Sequence, residues 1–257
     1  MGYFGATNRD GYLLKGIRIF IAYWICGWAI AIQQLLAVFL VFRSLLPPYG
    51  VAKRTLDMDK GVITIDGERT IHLLDLPLAG WPLVWGTLAG LTVLVTGTYF
   101  SNRRSLQPLA LRSFSLKPFI PWLGLAFLLG VISSALERSF PDLRSGMMER
   151  LLTSSLDSTY VTIIAIGVLV PLFEELIFRG LMFSKLEAEF NSNVAVVVTS
   201  VLFLLVHLQY SVLVLLVMLP LALILGMVRY RTGSVWPSFI IHSLNNLAGI
   251  LIIAAQS

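Results

Sequence analysis

Glu174, Glu175 and Arg179 stand in the run Pro171-Leu172-Phe173-Glu174-Glu175-Leu176-Ile177-Phe178-Arg179-Gly180, directly after the apolar stretch 161–170. Each ionisable group near a bilayer centre costs about 2.5–3.5 kcal/mol, so this cluster implies partners, internal water and a use for the charge. Helical spacing separates its members. Glu175 and Arg179 are four apart and share a face, whereas Glu174 projects about 100° away from Glu175. Glu175 is then neutralised by Arg179, and Glu174 is left for chemistry. Two of the three histidines, His207 and His242, also fall in late apolar runs. An imidazole in hydrocarbon needs a hydrogen-bond partner, and polar groups on separate spans satisfy one another only by converging. His242 and Asn246 are four apart on one helical face, and Phe203 sets an aromatic ring one turn from His207.

The chemistry such a set allows is water activation. A carboxylate in an apolar pocket serves as base while an imidazole orients the water and shuttles a proton. A second imidazole and a carboxamide can donate to an oxyanion formed from a carbonyl, a division of labour that suits peptide hydrolysis. Two other readings stay open. The polar groups could simply hold helices together, or Glu174, His207 and His242 could ligate a metal, since two imidazoles and a carboxylate make an open zinc site. There is no His-Glu-x-x-His, no Gly-x-Ser-Gly and no Asp within the spans, which removes three other hydrolytic designs.

The elements that must position these residues follow from composition. The 257-residue chain is 57% hydrophobic and 13% charged, against roughly a quarter charged in soluble domains, which places it among polytopic membrane proteins. The net charge of +5 does not point to nucleic acid, because the basic residues sit mainly in short segments between apolar runs, where they set topology. A single cysteine, Cys26, excludes an intramolecular disulfide and a Cys-based metal cluster. Hydropathy gives seven spans, at about 19–42, 79–99, 118–136, 160–183, 194–208, 211–228 and 235–255. The expected fold is therefore an all-α, polytopic helical bundle of about seven transmembrane helices, forming one membrane domain over 1–257. Counting Lys and Arg on alternate sides puts the N-terminus inside and, with seven spans, the C-terminus outside.

Residues 45–78 form an extramembrane insertion, in which Val62-Ile63-Thr64-Ile65, Asp66-Gly67 and Thr70-Ile71-His72-Leu73 suggest a small β-hairpin. Residues 137–157 suit an amphipathic helix on the interface. Gly86 and Gly90 match the small-xxx-small pattern of closely approaching helices.

Glu174-Glu175-xxx-Arg179, Phe203-xxx-His207 and His242-xxx-Asn246 together resemble the three ordered motifs of the type II CAAX prenyl endopeptidase family, also called Abi or CPBP intramembrane proteases. The resemblance covers residues 160–255, which would be the catalytic core. It implies a glutamate-type intramembrane protease with Glu174 as general base and His207 holding the attacking water. It further implies a Glu175–Arg179 positioning pair, an oxyanion site at His242 and Asn246, and Phe203 as a wall of the pocket. No cofactor and no metal are expected. The expected partners are the lipid bilayer and a peptide or membrane-protein substrate, prenylated or not, with no nucleic acid, and the expected location is the cell (inner) membrane. The alternative is a non-catalytic membrane partner or bacteriocin self-immunity protein that retains the motif.

Overall fold

The computed structural model describes residues 6–45, 54–57, 62–65, 69–72, 80–140 and 159–255. In chain order the described helices are α1 (Ala6–Leu45), α2 (Gly80–Ser101), α3 (Leu116–Ser139), α4 (159–189), α5 (Ser192–Leu205), α6 (Val212–Thr232) and α7 (Trp236–Ala254). Six of them are long and apolar enough to cross a bilayer, so the chain is a multi-pass integral membrane protein with a mostly helical fold. Side-chain exposure agrees with lipid as the solvent. On α3, Phe127 is 74% exposed and Ile120 60%, a face that water would penalise and lipid does not.

The remaining apolar helix, α5, has 14 residues and is about 21 Å long, less than the ~30 Å hydrocarbon core. It stops at Leu205, although the apolar run continues to Leu208, because the backbone changes partners there. His207 N–H donates to Leu204 O at 2.9 Å instead of one residue further back, and the His207 ring takes Phe203 O in its place. Ser211 then opens α6 by accepting Val214 N–H on its hydroxyl, and Gly233, at φ +69°, closes α6 in the left-handed conformation that suits glycine.

Between α1 and α2 lie three short strands, β1 (Arg54–Asp57), β2 (Val62–Ile65) and β3 (Arg69–His72). They pair antiparallel in the order β1-β2-β3, with Asp57 opposite Val62 and Val62 opposite His72. The sequence suggested two strands here. The Asp66-Gly67 turn lies outside the described residues, as does the amphipathic segment expected in 137–157 from residue 141 onward.

The chain divides into two compact units. One comprises Met1–Trp28, Val93–Arg144 and Glu174–His242. Its core joins Phe119 of α3 to Ile224, Leu225 and Val228 of α6 and Ile241 of α7, while Phe183 and Leu186 of α4 pack on Ala195 and Val196 of α5. The turn at Gln107–Leu109 is tied to the α6–α7 connection, since Val235 N–H donates to Ala110 O at 3.1 Å and the Ser234 hydroxyl to Arg112 O.

The other unit comprises Ala29–Thr92, Ser145–Phe173 and Ser243–Ser257. Here Gly86 and Gly90 of α2 meet the backbone of α1. A Cβ on Gly86 would stand 2.5 Å from Gln33 O, and one on Gly90 2.8 Å from Ala29 O, so only glycine permits this crossing. Gln33 adds a buried hydrogen bond to Thr87 Oγ1 at 3.4 Å.

Replacing Gly86 by Leu should therefore force α1 and α2 apart and cost about 1–3 kcal/mol, the usual range for overpacking. The measurement is thermal unfolding in detergent, with Gly124→Leu as control, because a Cβ on Gly124 meets nothing within 4 Å. Equal melting of the two variants would show that the crossing does not need glycine.

Candidate active site

α4 carries the paired glutamates in an irregular stretch. Two π-helical segments, Ala165–Leu169 and Leu176–Met182, flank Val170–Glu175. Such wide turns recur at functional sites, because each re-aims the side chains that follow it. Pro171 contributes to the first, since it has no N–H to return to a carbonyl one turn back. One carbonyl in that turn, Ile166 O, accepts instead from Asn246 Nδ2 at 3.0 Å, within the second unit.

In the first unit, Glu174, Glu175, Arg179, Phe203, His207 and His242 come together. Arg179 is fully buried. It donates from Nη1 to Glu175 Oε1 at 3.3 Å and from Nη2 to Ala222 O at 2.9 Å, and its guanidinium carbon stands 4.8 Å from the Phe203 ring centroid. Ser200 of α5 donates to the same Ala222 carbonyl at 2.9 Å. Glu175, also fully buried, accepts a second hydrogen bond on Oε1 from His242 Nδ1 at 2.9 Å.

Glu174 sits differently. Its side chain keeps 19% of its surface, and its carboxylate faces both imidazoles, with Oε1 4.0 Å from His207 Nε2 and Oε2 3.8 Å from His242 Nε2. These separations exceed a direct hydrogen bond and lie within reach of one shared water. Both rings are held through Nδ1, His207 on Phe203 O at 2.7 Å and His242 on Glu175. A carbonyl only accepts, so His207 Nδ1 carries the proton and its Nε2 offers a lone pair toward Glu174. Phe203 packs against both imidazoles, with ring centroids 4.6 Å from His207 and 5.6 Å from His242. Among the described residues no group of three His, Cys, Asp or Glu side chains is set to hold a metal ion.

The structure thus places six of the seven residues read from the sequence within one unit. Asn246 lies in the other, and one of its two N–H groups is taken by Ile166 O. Two contacts escaped the sequence reading. His242 to Glu175 is a contact of helices 67 residues apart in sequence, and nothing in either motif encodes it. Arg229, read as a topology-setting charge, is only 5% exposed and donates from Nε to Arg179 O at 2.8 Å. The signal for it was its position three residues inside the end of an apolar helix.

Residues 156–248 match the family model described as type II CAAX prenyl endopeptidase Rce1-like. The matched stretch includes all three motifs, so the resemblance read from them holds for this part of the chain. Over 84 residues the chain is 40% identical to the UPF0177 protein YxdF of Lactococcus lactis subsp. lactis (strain IL1403), covering 33% of this chain and 45% of that protein. The chain therefore spans less than half the length of this curated relative. No solved structure matches it.

Arg179→Ala would leave the Glu175 carboxylate buried with only His242 as donor. Breaking a buried pair in this way costs about 3–5 kcal/mol, so the variant should accumulate poorly and melt well below the parent. Parental melting of Arg179→Ala in detergent would mean that the pair contributes nothing to stability.

Proposed function

We propose that this chain is an intramembrane endopeptidase that hydrolyses a peptide bond of a membrane-associated protein or peptide, prenylated or not, by water activated between Glu174 and His207. The observation that carries the reading is the facing of the Glu174 carboxylate to Nε2 of two imidazoles whose Nδ1 atoms are already engaged. A water between them donates one proton to Glu174 and the other to His207 Nε2. Its oxygen lone pair is thereby aimed at a carbonyl carbon. As the water oxygen bonds to that carbon, Glu174 takes the proton and later returns it to the leaving amine.

The developing oxyanion needs donors. His242 can donate from Nε2 while Nδ1 still donates to Glu175 only when the ring carries both protons. Asn246, one turn further along α7, is assigned the second donor on the strength of its spacing from His242 and the resemblance. Phe203 closes the wall behind both rings. No metal takes part in this scheme, and nucleic acid has no place in it.

The test is cleavage by the purified, reconstituted chain of a library of membrane-anchored fluorogenic peptides, with and without a prenylated cysteine. Glu174→Gln should lower kcat/KM by about 10²–10⁴, the usual contribution of a general base, while accumulating and melting like the parent. Retained cleavage in Glu174→Gln would remove the role. A membrane-permeant chelator should leave the rate unchanged. Loss of activity to the chelator with rescue by zinc would replace this scheme with the three-ligand metal site.

A further inference from the structure

A cavity of about 470 Å³ opens in the first unit, lined in part by Gln107, Arg112, Ser184, Lys185, Glu187 and Arg229. It lies where spans begin and end. α2 finishes at Ser101, α3 starts at Leu116, α4 finishes at Glu189 and α6 at Thr232, and α7 starts at Trp236. The cavity therefore stands at the membrane surface, and its lining carries three cations against one acid. That acid, Glu187, accepts from the Ser192 hydroxyl on Oε1 at 2.8 Å and offsets part of the Arg229 charge, which leaves the lining net positive.

None of the three cations has a carboxylate within ion-pair distance among the described residues. Arg229 is nearly buried. It spends Nε on Arg179 O and Nη2 on Ser184 Oγ at 3.2 Å, with its guanidinium over the Phe183 ring at 4.8 Å, so a fixed, oriented charge is presented to the cavity. Lys185 is steadied by Asn102 Oδ1. Arg112 is exposed at the rim, beside a connection that holds Arg103, Arg104 and Lys117 and no acid between residues 102 and 117. Three cations against one lining acid leave a net positive space, which a negative guest stabilises. Two guanidiniums and an ammonium around a volume of this size fit a tetrahedral oxyanion, which Arg binds through paired N–H donors.

We propose that this cavity is a binding site for a phosphate-bearing anion, either the headgroup of an anionic phospholipid or free phosphate. Basic pockets between span ends are where such headgroups seat. The site is separate from the Glu174 centre, which lies 11 residues and roughly 15 Å back along α4 from Lys185. Occupancy would act on Arg229, whose Nε holds the carbonyl of Arg179, so the guest stabilises the same packing that holds the glutamate pair.

The experiment uses the full chain in neutral detergent, with thermal unfolding followed in the presence of short-chain phosphatidylglycerol, short-chain phosphatidylcholine or inorganic phosphate. Phosphatidylglycerol should raise the melting temperature by about 3 °C or more when well above its Kd, and the shift should shrink as salt rises. Phosphatidylcholine should give little. Arg112→Gln and Lys185→Gln, each compared with its own ligand-free melting temperature, should lose most of the shift. Both lie outside the catalytic set, and Gln at 185 keeps a donor for Asn102. A shift with inorganic phosphate that depends on Arg112 and Lys185 identifies the free anion as the ligand, whereas a shift with phosphatidylglycerol alone identifies the lipid headgroup. Equal shifts from the two lipids, a shift that both variants keep in full, or no shift with any of the three additives would overturn the proposal.

Discussion

Arg179 carries a full positive charge to a position that neither water nor lipid can solvate, and the first unit is arranged to meet that demand. Its guanidinium is held by Glu175 on the same helix, by a carbonyl of α6 and by the face of Phe203 on α5. One side chain thus links three helices. Ser200 shares the Ala222 carbonyl, and Arg229 holds the carbonyl of Arg179 itself. Buried ion pairs seldom add stability over well-packed apolar residues of the same volume, so retaining one argues for what it positions. Among the described residues, buried Arg179 Nε and Glu175 Oε2 have no hydrogen-bond partner.

What the pair positions is His242. Glu175 Oε1 accepts from Arg179 on one side and from the imidazole on the other, so the ring orientation is tied to the buried charge. That contact leaves Nε2 pointing at Glu174. The two adjacent carboxylates are therefore not equivalent. One is held by fixed donors, while its neighbour has no direct hydrogen bond among the described residues and retains some exposure. Neighbouring carboxylates separated in environment are the usual basis for separating their roles.

The sequence made the polar constellation legible because apolar spans provide a clean background. In a run of Val, Leu and Ile, every Glu, Arg, His or Asn is conspicuous, and the energetic cost of each says that they must meet. The same-face pairing of Glu175 with Arg179 followed from a spacing of four. Contacts between helices were less accessible, since a spacing rule says nothing about which turn of α7 faces which turn of α4. The π-helical turns were hidden as well: they change direction without any residue that marks them, and only Pro171 hints at the first. The early end of α5 was invisible for a related reason. Val206 and Leu208 are as apolar as the helix before them, and the helix ends because the His207 ring takes the carbonyl that the next turn would need.

That early end bears directly on how His207 is held. α5 begins beside Glu187 and Glu189, close to the membrane surface, and its 14 residues advance only about 21 Å, so His207 lies within the hydrocarbon depth. The turn that follows, from Val206 to Ser211, is irregular backbone leading into α6. Lipid cannot satisfy its polar groups, and such backbone persists only where protein or water does so. Part of the demand is met internally, by Leu204 O with His207 N–H, by His207 O with Tyr210 N–H and by the Ser211 hydroxyl with Val214 N–H. The contact that halts the helix, His207 Nδ1 on Phe203 O, is therefore the same contact that fixes the imidazole facing Glu174.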